Sequence, residues 1–263
     1  MPGVAVVNSG NYDLQIATGF QVDAFILDDA LRGVLAGYTT TTTRTNLVPN
    51  PSFEVDTTGW LNIQTGTTNT RITTDSYSGT ACTQVNITGL VANSGIATTF
   101  ASGQRMPVTA GIPYMWSLYV KVPAGQPSCS LRLRTSEYRA DGTQNSAQVS
   151  SSTTVSDTDG WVRLSFADTP TAGATPTVSM SCRVEIGSTV GSARTWLVDA
   201  ALFEQSATLL PYFDGTYADT YTGYTLTEQG WNGTADASTS TATWGLDSSY
   251  VAGTPMDSDY ALT

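Results

Sequence analysis

The chain has 263 residues, 40% of them hydrophobic and 13% charged, with no histidine and a formal net charge of −11. An acidic surface of this kind repels nucleic-acid phosphates and anionic lipid, which excludes nucleic-acid and membrane-surface binding. The absence of histidine removes the usual Ser-His and Cys-His nucleophile pairs and His metal sites, and with them most common routes to an enzyme.

The charged fraction is about half of what a globular protein usually carries. Polarity comes instead from Thr, Ser, Asn, Gln and Gly. Branched Thr fits a pleated strand, and Ser, Asn and Gly fit turns. The composition therefore predicts an all-β protein. Lys121 is the only lysine, and every other basic residue is arginine.

In chain order, residues 1–38 hold two apolar runs, 4–7 and 20–27. The second continues as F-I-L-D-D-A-L-R-G-V-L to Leu35, with a short helical turn expected at 28–31. There is no basic n-region at the start and no run of about 18 apolar residues, so neither a secretory signal nor a membrane span is expected. Residues 39–45, rich in Thr, read as an extended linker, with a domain boundary there.

From Asn46 the pattern becomes short alternating segments between turn clusters, the signature of a β-sandwich. Strands are expected at 71–74 and 82–87, around a turn at Tyr77-Ser78-Gly79. Residues 112–122 form the clearest long strand, with Tyr114, Trp116, Leu118 and Val120 on one face and Tyr119 and Lys121 on the other. Further strands are expected at 130–138, 161–166, 177–186 and 194–204. Alternation over that length can bury one face only if the segment is a strand. Residues 214–263 contain Trp231 and Trp244 but no long apolar run. They are expected to form a hairpin or two lying on the sandwich or on a neighbouring subunit. Cys82, Cys129 and Cys182 are widely spaced, which suggests free thiols, with one disulfide left open.

Residues 46–54 read N-L-V-P-N-P-S-F-E, followed by Gly59-Trp60, and residues 196–204 read W-L-V-D-A-A-L-F-E. These two ends resemble the opening and closing strands of carbohydrate-binding modules with a galactose-binding-like jelly-roll fold. The resemblance implies a jelly-roll β-sandwich over 45–213, an extended segment over 1–44 and a hairpin-rich extension over 214–263. It also implies a structural calcium held by Glu54 and Asp199; no cofactor is otherwise required. A second resemblance lies in P-Y-F-D-G-T at 211–216 and Trp231-Asn232-Gly233. It is to minor tail proteins of phages that infect actinobacteria, with Asp236 standing where those have His or Asn. The 25–35 segment also resembles a leader of such proteins. It implies virion attachment through Phe25, Leu27, Leu31, Val34 and Leu35, assembly in the host cytoplasm, and a homo-oligomer among other virion proteins.

Exposed aromatics stack on sugars while polar groups fix the hydroxyls. Tyr119, Arg132, Arg134, Tyr138 and Trp161, with Arg163, are the candidate sugar-binding residues, provided that their strands share a sheet. Host cell-wall polysaccharide is the expected ligand. The adjacent carboxylates Asp28 and Asp29 do not suit catalysis, because paired catalytic carboxylates face each other about 5–10 Å apart and neighbours on an extended chain point opposite ways. The expectation is a non-enzymatic structural protein of a phage particle. A capsid decoration protein or head fibre with the same domain is the alternative, and a fragment of a secreted glycoside hydrolase a more distant one.

Overall fold

The computed structural model describes residues 41–246, apart from 90 and 102. The attachment residues Phe25, Leu27, Leu31, Val34 and Leu35, the Asp28-Asp29 pair and the expected helical turn lie outside the described residues, as does the end of the tail.

Among the described residues there are fifteen strands and no helix. In chain order they begin with β1 (Thr41–Asn46), β2 (Trp60–Ile63), β3 (Thr67–Ile72), β4 (Cys82–Ile87), β5 (Gly95–Thr98), β6 (Met106–Pro107) and β7 (Tyr114–Lys121). They continue with β8 (Cys129–Tyr138), β9 (Gln144–Val149), β10 (Thr153–Val155), β11 (Val162–Asp168), β12 (Ser179–Ile186), β13 (Arg194–Glu204), β14 (Tyr224–Trp231) and β15 (Ser240–Leu246). The first sheet runs β11-β7-β13-β4-β3, and the second β10-β8-β12-β5-β2, with β6 on β12 and β9 on β8. A third, smaller sheet runs β1-β15-β14.

The first two sheets form a β-sandwich because each carries an apolar residue at every second position on its inner face. From the first sheet come Trp116, Leu118 and Val120 of β7, Val85 and Ile87 of β4, and Trp196, Val198 and Phe203 of β13. From the second come Cys129, Leu131 and Leu133 of β8 and Met180, Cys182, Val184 and Ile186 of β12. Trp116 reaches across the core and donates its indole N–H to the Arg183 carbonyl at 3.1 Å.

The N-L-V-P-N-P-S-F-E segment is a clasp. The Asn46 side chain donates to the carbonyls of Ala201 and Phe213 and accepts from the Val48 and Phe203 amides, filling its hydrogen-bonding capacity. Pro51 has no N–H to offer, but its carbonyl accepts from the Ala201 amide at 2.9 Å. Trp60 donates to the Asn50 carbonyl at 3.0 Å and lies 5.0 Å from the Phe53 ring. The segment thereby seals the edge of the sandwich beside β13.

A bulge in β13 between Asp199 and Leu202, with Ala200 at φ 50°, reverses the alternation. Trp196 and Val198 point inward before it, and Ala201 and Phe203 after it. Ala200 and Leu202 turn to the other side and build a second apolar cluster with Tyr212, Phe213, Ala242 and Trp244. The third sheet packs there.

The Thr-rich segment expected as a linker is a paired strand over 41–46, because threonines on both sides make cross-strand partners. Thr43 Oγ1 lies 3.0 Å from Thr243 Oγ1. Arg44 pins this sheet to the sandwich: it meets Glu204 through two hydrogen bonds of 2.7 and 2.6 Å and the Pro211 carbonyl at 2.8 Å. The Phe213 and Trp244 rings lie 4.8 and 4.9 Å from its guanidinium carbon.

Candidate functional site

The outer face of the second sheet gathers polar side chains that the fold does not use. On β8 the outward positions are Arg132, Arg134, Ser136 and Tyr138; on β12 they are Ser179, Ser181, Arg183 and Glu185. The register sets Tyr138 opposite Ser179, Ser136 opposite Ser181, Arg134 opposite Arg183 and Arg132 opposite Glu185. β5 continues two of these rows with Ala97 beside Arg183 and Gly95 beside Glu185. Gly95 is required there, since a Cβ would stand 2.1 Å from the Val184 carbonyl oxygen.

Arg132 donates to Glu185 at 3.0 Å and to Asn93. Arg183 lies over the Phe100 ring at 4.9 Å, with Glu185 at 3.8 Å. Arg134 has no acidic partner among the described residues. Burial first, and then the charge of Arg134, hold the Arg183 guanidinium below its ordinary value. Five buried polar atoms on this face have no hydrogen-bond partner among the described residues: Ser136 Oγ, Ser181 Oγ, Arg134 Nε, Arg183 Nε and Glu185 Oε2. Buried polar atoms are ordinarily satisfied, so such a cluster calls for a ligand or ordered water.

The candidate sugar-binding residues do not form one surface. Arg132, Arg134 and Tyr138 share this face. The Tyr138 ring offers no stacking face, being 7% exposed and covered by the Arg105 guanidinium at 3.5 Å. Tyr119, Trp161 and Arg163 belong to the first sheet and its outer side, because β7 pairs with β11 and not with β8. There Tyr119 stacks on Tyr77 at 3.5 Å, and Asp219 accepts hydrogen bonds from the hydroxyls of Tyr77, Tyr119 and Tyr217. Trp161 donates to Asp75 at 3.3 Å, and Arg163 to the Ser117 hydroxyl at 3.0 Å. The Tyr77 and Tyr119 bonds to Asp219 fasten the extension to the sandwich, whereas the Trp161 and Arg163 bonds lie within it. Sequence reasoning paired strands by their polar faces and could not assign them to sheets. It also passed over Arg183, Glu185, Ser136 and Ser181, whose signal was their shared phase in 130–138 and 177–186.

The residues expected to hold calcium are occupied otherwise. Glu54 accepts from the Thr80 and Ala81 amides and the Thr80 hydroxyl. Asp199 accepts from the Tyr77, Ser78 and Ala200 amides at 2.7, 3.0 and 2.7 Å. Both carboxylates thus clamp the 77–81 turn. Calcium wants six to eight oxygens, and these oxygens already face N–H groups. No cluster of three or more metal-ligating side chains occurs among the described residues. The pair does not fit the ion.

Two further carboxylates point inward, Glu137 from the second sheet and Asp168 from the first. Glu137 accepts from the Thr171 amide and the Thr177 hydroxyl, and Asp168 from the Thr135 hydroxyl. Burial, reinforced by nearby Glu137, raises the Asp168 carboxyl above its ordinary value. At 1% and 8% exposure they are closed to a substrate. Cys82, Cys129 and Cys182 are free and buried, and burial pushes the first two thiols up to about 12 and about 11.

No protein-family model and no curated protein matches the chain. Solved structures do. The CBM22-1 xylan-binding domain from Paenibacillus barcinonensis matches with a TM-score of 0.47 at 22% identity, over 62% of this chain and 96% of that one. The CBM22-1-GH10 modules of a Clostridium thermocellum endo-1,4-beta-D-xylanase, complexed with xylohexaose, match with a TM-score of 0.47 at 21% identity, over 62% and 29%. The enzymatically active domain of bacteriophage CBA120 tailspike protein 4 matches with a TM-score of 0.43 at 10% identity, over 60% and 21%. At such identities these are likenesses of fold and assign this chain no ligand.

Proposed function

We propose that the chain is a non-enzymatic glycan-binding β-sandwich carried on the surface of a phage particle, as a minor tail protein that helps the particle adhere to its host. The observation that carries the binding role is the outer face of the second sheet, with five buried polar atoms left without partners. A polysaccharide strand laid across β8 and β12 would meet the partly exposed guanidinium groups of Arg132, Arg134 and Arg183. A pair of opposed, solvent-reachable carboxylates, which glycoside hydrolysis requires, is not what this face offers: Glu185 is its one acid on β8 and β12.

The virion role is supported by the P-Y-F-D-G-T segment, which acts as a folding unit. Tyr212 and Phe213 are fully buried, and Asp214 accepts from its own turn, from the Thr216 and Tyr217 amides. Gly215 is needed because the Trp231 ring covers it, leaving a Cβ only 2.4 Å away. The residues behind the tail-protein resemblance therefore dock the third sheet. Retention of the purified chain on a panel of immobilised polysaccharides tests binding, and peptide mass spectrometry of purified particles tests location. Retention by at least one polysaccharide and recovery from tails are expected. Passage through the whole panel would overturn the first, and absence from particles the second.

A further inference from the structure

Arg134 and Arg183 stand directly opposite each other on β8 and β12. Like charges in that arrangement destabilise a sheet. A chain with twice as many acidic as basic residues (22 against 11) had ample means to pair them. Instead, of the three arginines on these two strands, Arg132 and Arg183 reach the single carboxylate of Glu185 and Arg134 reaches none among the described residues. Arg105, laid on Tyr138, adds a fourth cation at the end of the face. Exposed aromatic rings, the usual platform for a neutral sugar, are not on offer at these positions: Tyr138 is covered, and Phe100 lies under Arg183. The Nε atoms of Arg134 and Arg183 are buried and unpartnered among the described residues. A guanidinium fork fits the planar, two-oxygen geometry of an oxyanion.

We propose that the ligand of this face is an anionic polysaccharide whose repeating carboxylate or phosphate groups sit between Arg134 and Arg183. This rests on the glycan-binding reading above and gives it a substrate class. The anion would neutralise the facing guanidinium groups, which are partly exposed on this face.

The test compares charged and neutral forms of one backbone by affinity electrophoresis. Polygalacturonate is set against its methyl ester, and a phosphomannan against its dephosphorylated form. We expect retention by the carboxylate or the phosphate member and loss on its neutral partner. Retention should weaken as salt rises from 0.1 to 1 M, where the screening length falls from about 10 to about 3 Å. Arg134→Gln should weaken binding about tenfold or more, and Arg134→Lys, which keeps the charge but loses the fork, should fall between. The Arg134→Gln variant should melt no lower than wild type, so lost binding is not lost folding. Equal, salt-insensitive retention by neutral and charged partners, or retention by neutral polysaccharides alone, would overturn the anionic assignment and leave glycan binding standing. Passage past every polysaccharide, charged and neutral, would overturn both.

Discussion

Replacing Arg44 with Met should unfasten the third sheet from the sandwich. Arg44 and Glu204 are 6% and 2% exposed and joined by two hydrogen bonds of 2.7 and 2.6 Å. Truncating one partner of a buried pair strands the other charge, at a cost of about 3–5 kcal/mol. Here Glu204, buried, would lose both hydrogen bonds it accepts from Arg44. At about 2–4 °C per kcal/mol for a chain of this size, the melting temperature should fall by roughly 6–20 °C. The same pair can be replaced by apolar residues of similar volume at little cost. The double variant Arg44→Met with Glu204→Leu should therefore recover most of the loss, since the cradle around Arg44 is aromatic. Thermal melts of the two single variants and the double variant form the cycle. A single-variant cost below about 1 kcal/mol, the value of an exposed pair, would show that the Arg44–Glu204 pair does not hold the third sheet in place. So would a double variant as unstable as the sum of the singles.

Gly215→Ala should cost about 1–3 kcal/mol by overpacking against Trp231, and Trp231→Ala in the same chain should restore part of it. Asp168 supplies a pH dependence. Its carboxyl is raised by burial, so its contribution is full below its unfolded value near pH 4 and is lost as pH rises through the raised folded value. Melts of wild type should thus fall as pH rises above about 4, and Asp168→Asn should flatten that slope. A slope unchanged in the variant would place the dependence elsewhere. The melt should also be indifferent to EDTA and to added calcium. A shift of several degrees on either addition would show that Glu54 and Asp199 do hold an ion.

Much of the sandwich was legible because its buried strands alternate cleanly. β13 appears at the boundaries its sequence suggests, and β4, β7, β8 and β12 within two residues. The short elements β2, β5, β9 and β10 gave no such signal. Polar residues such as Asn62, Gln144 and Thr153 hold their places through neighbours distant in sequence. The bulge at Ala200 was invisible for the same reason: a single residue at positive φ reverses the phase without altering composition. The candidate site was half legible. Arg132 and Arg134 were found from their phase on one strand. Their partners Arg183 and Glu185 come from a strand some fifty residues on, and register between strands is not written in either one alone. Tyr119 and Trp161 carried the chemistry of sugar stacking, yet the tertiary structure spends them on Tyr77 and Asp75.

The two outer faces of the sandwich can be told apart in one comparison. Arg134→Ala alters the outer face of the second sheet, and Trp161→Ala the outer face of the first. Retention of both variants and wild type should be measured on one polysaccharide that binds wild type. Arg134→Ala should lose retention while Trp161→Ala keeps it. Retention kept by Arg134→Ala and lost by Trp161→Ala would contradict binding on the outer face of the second sheet.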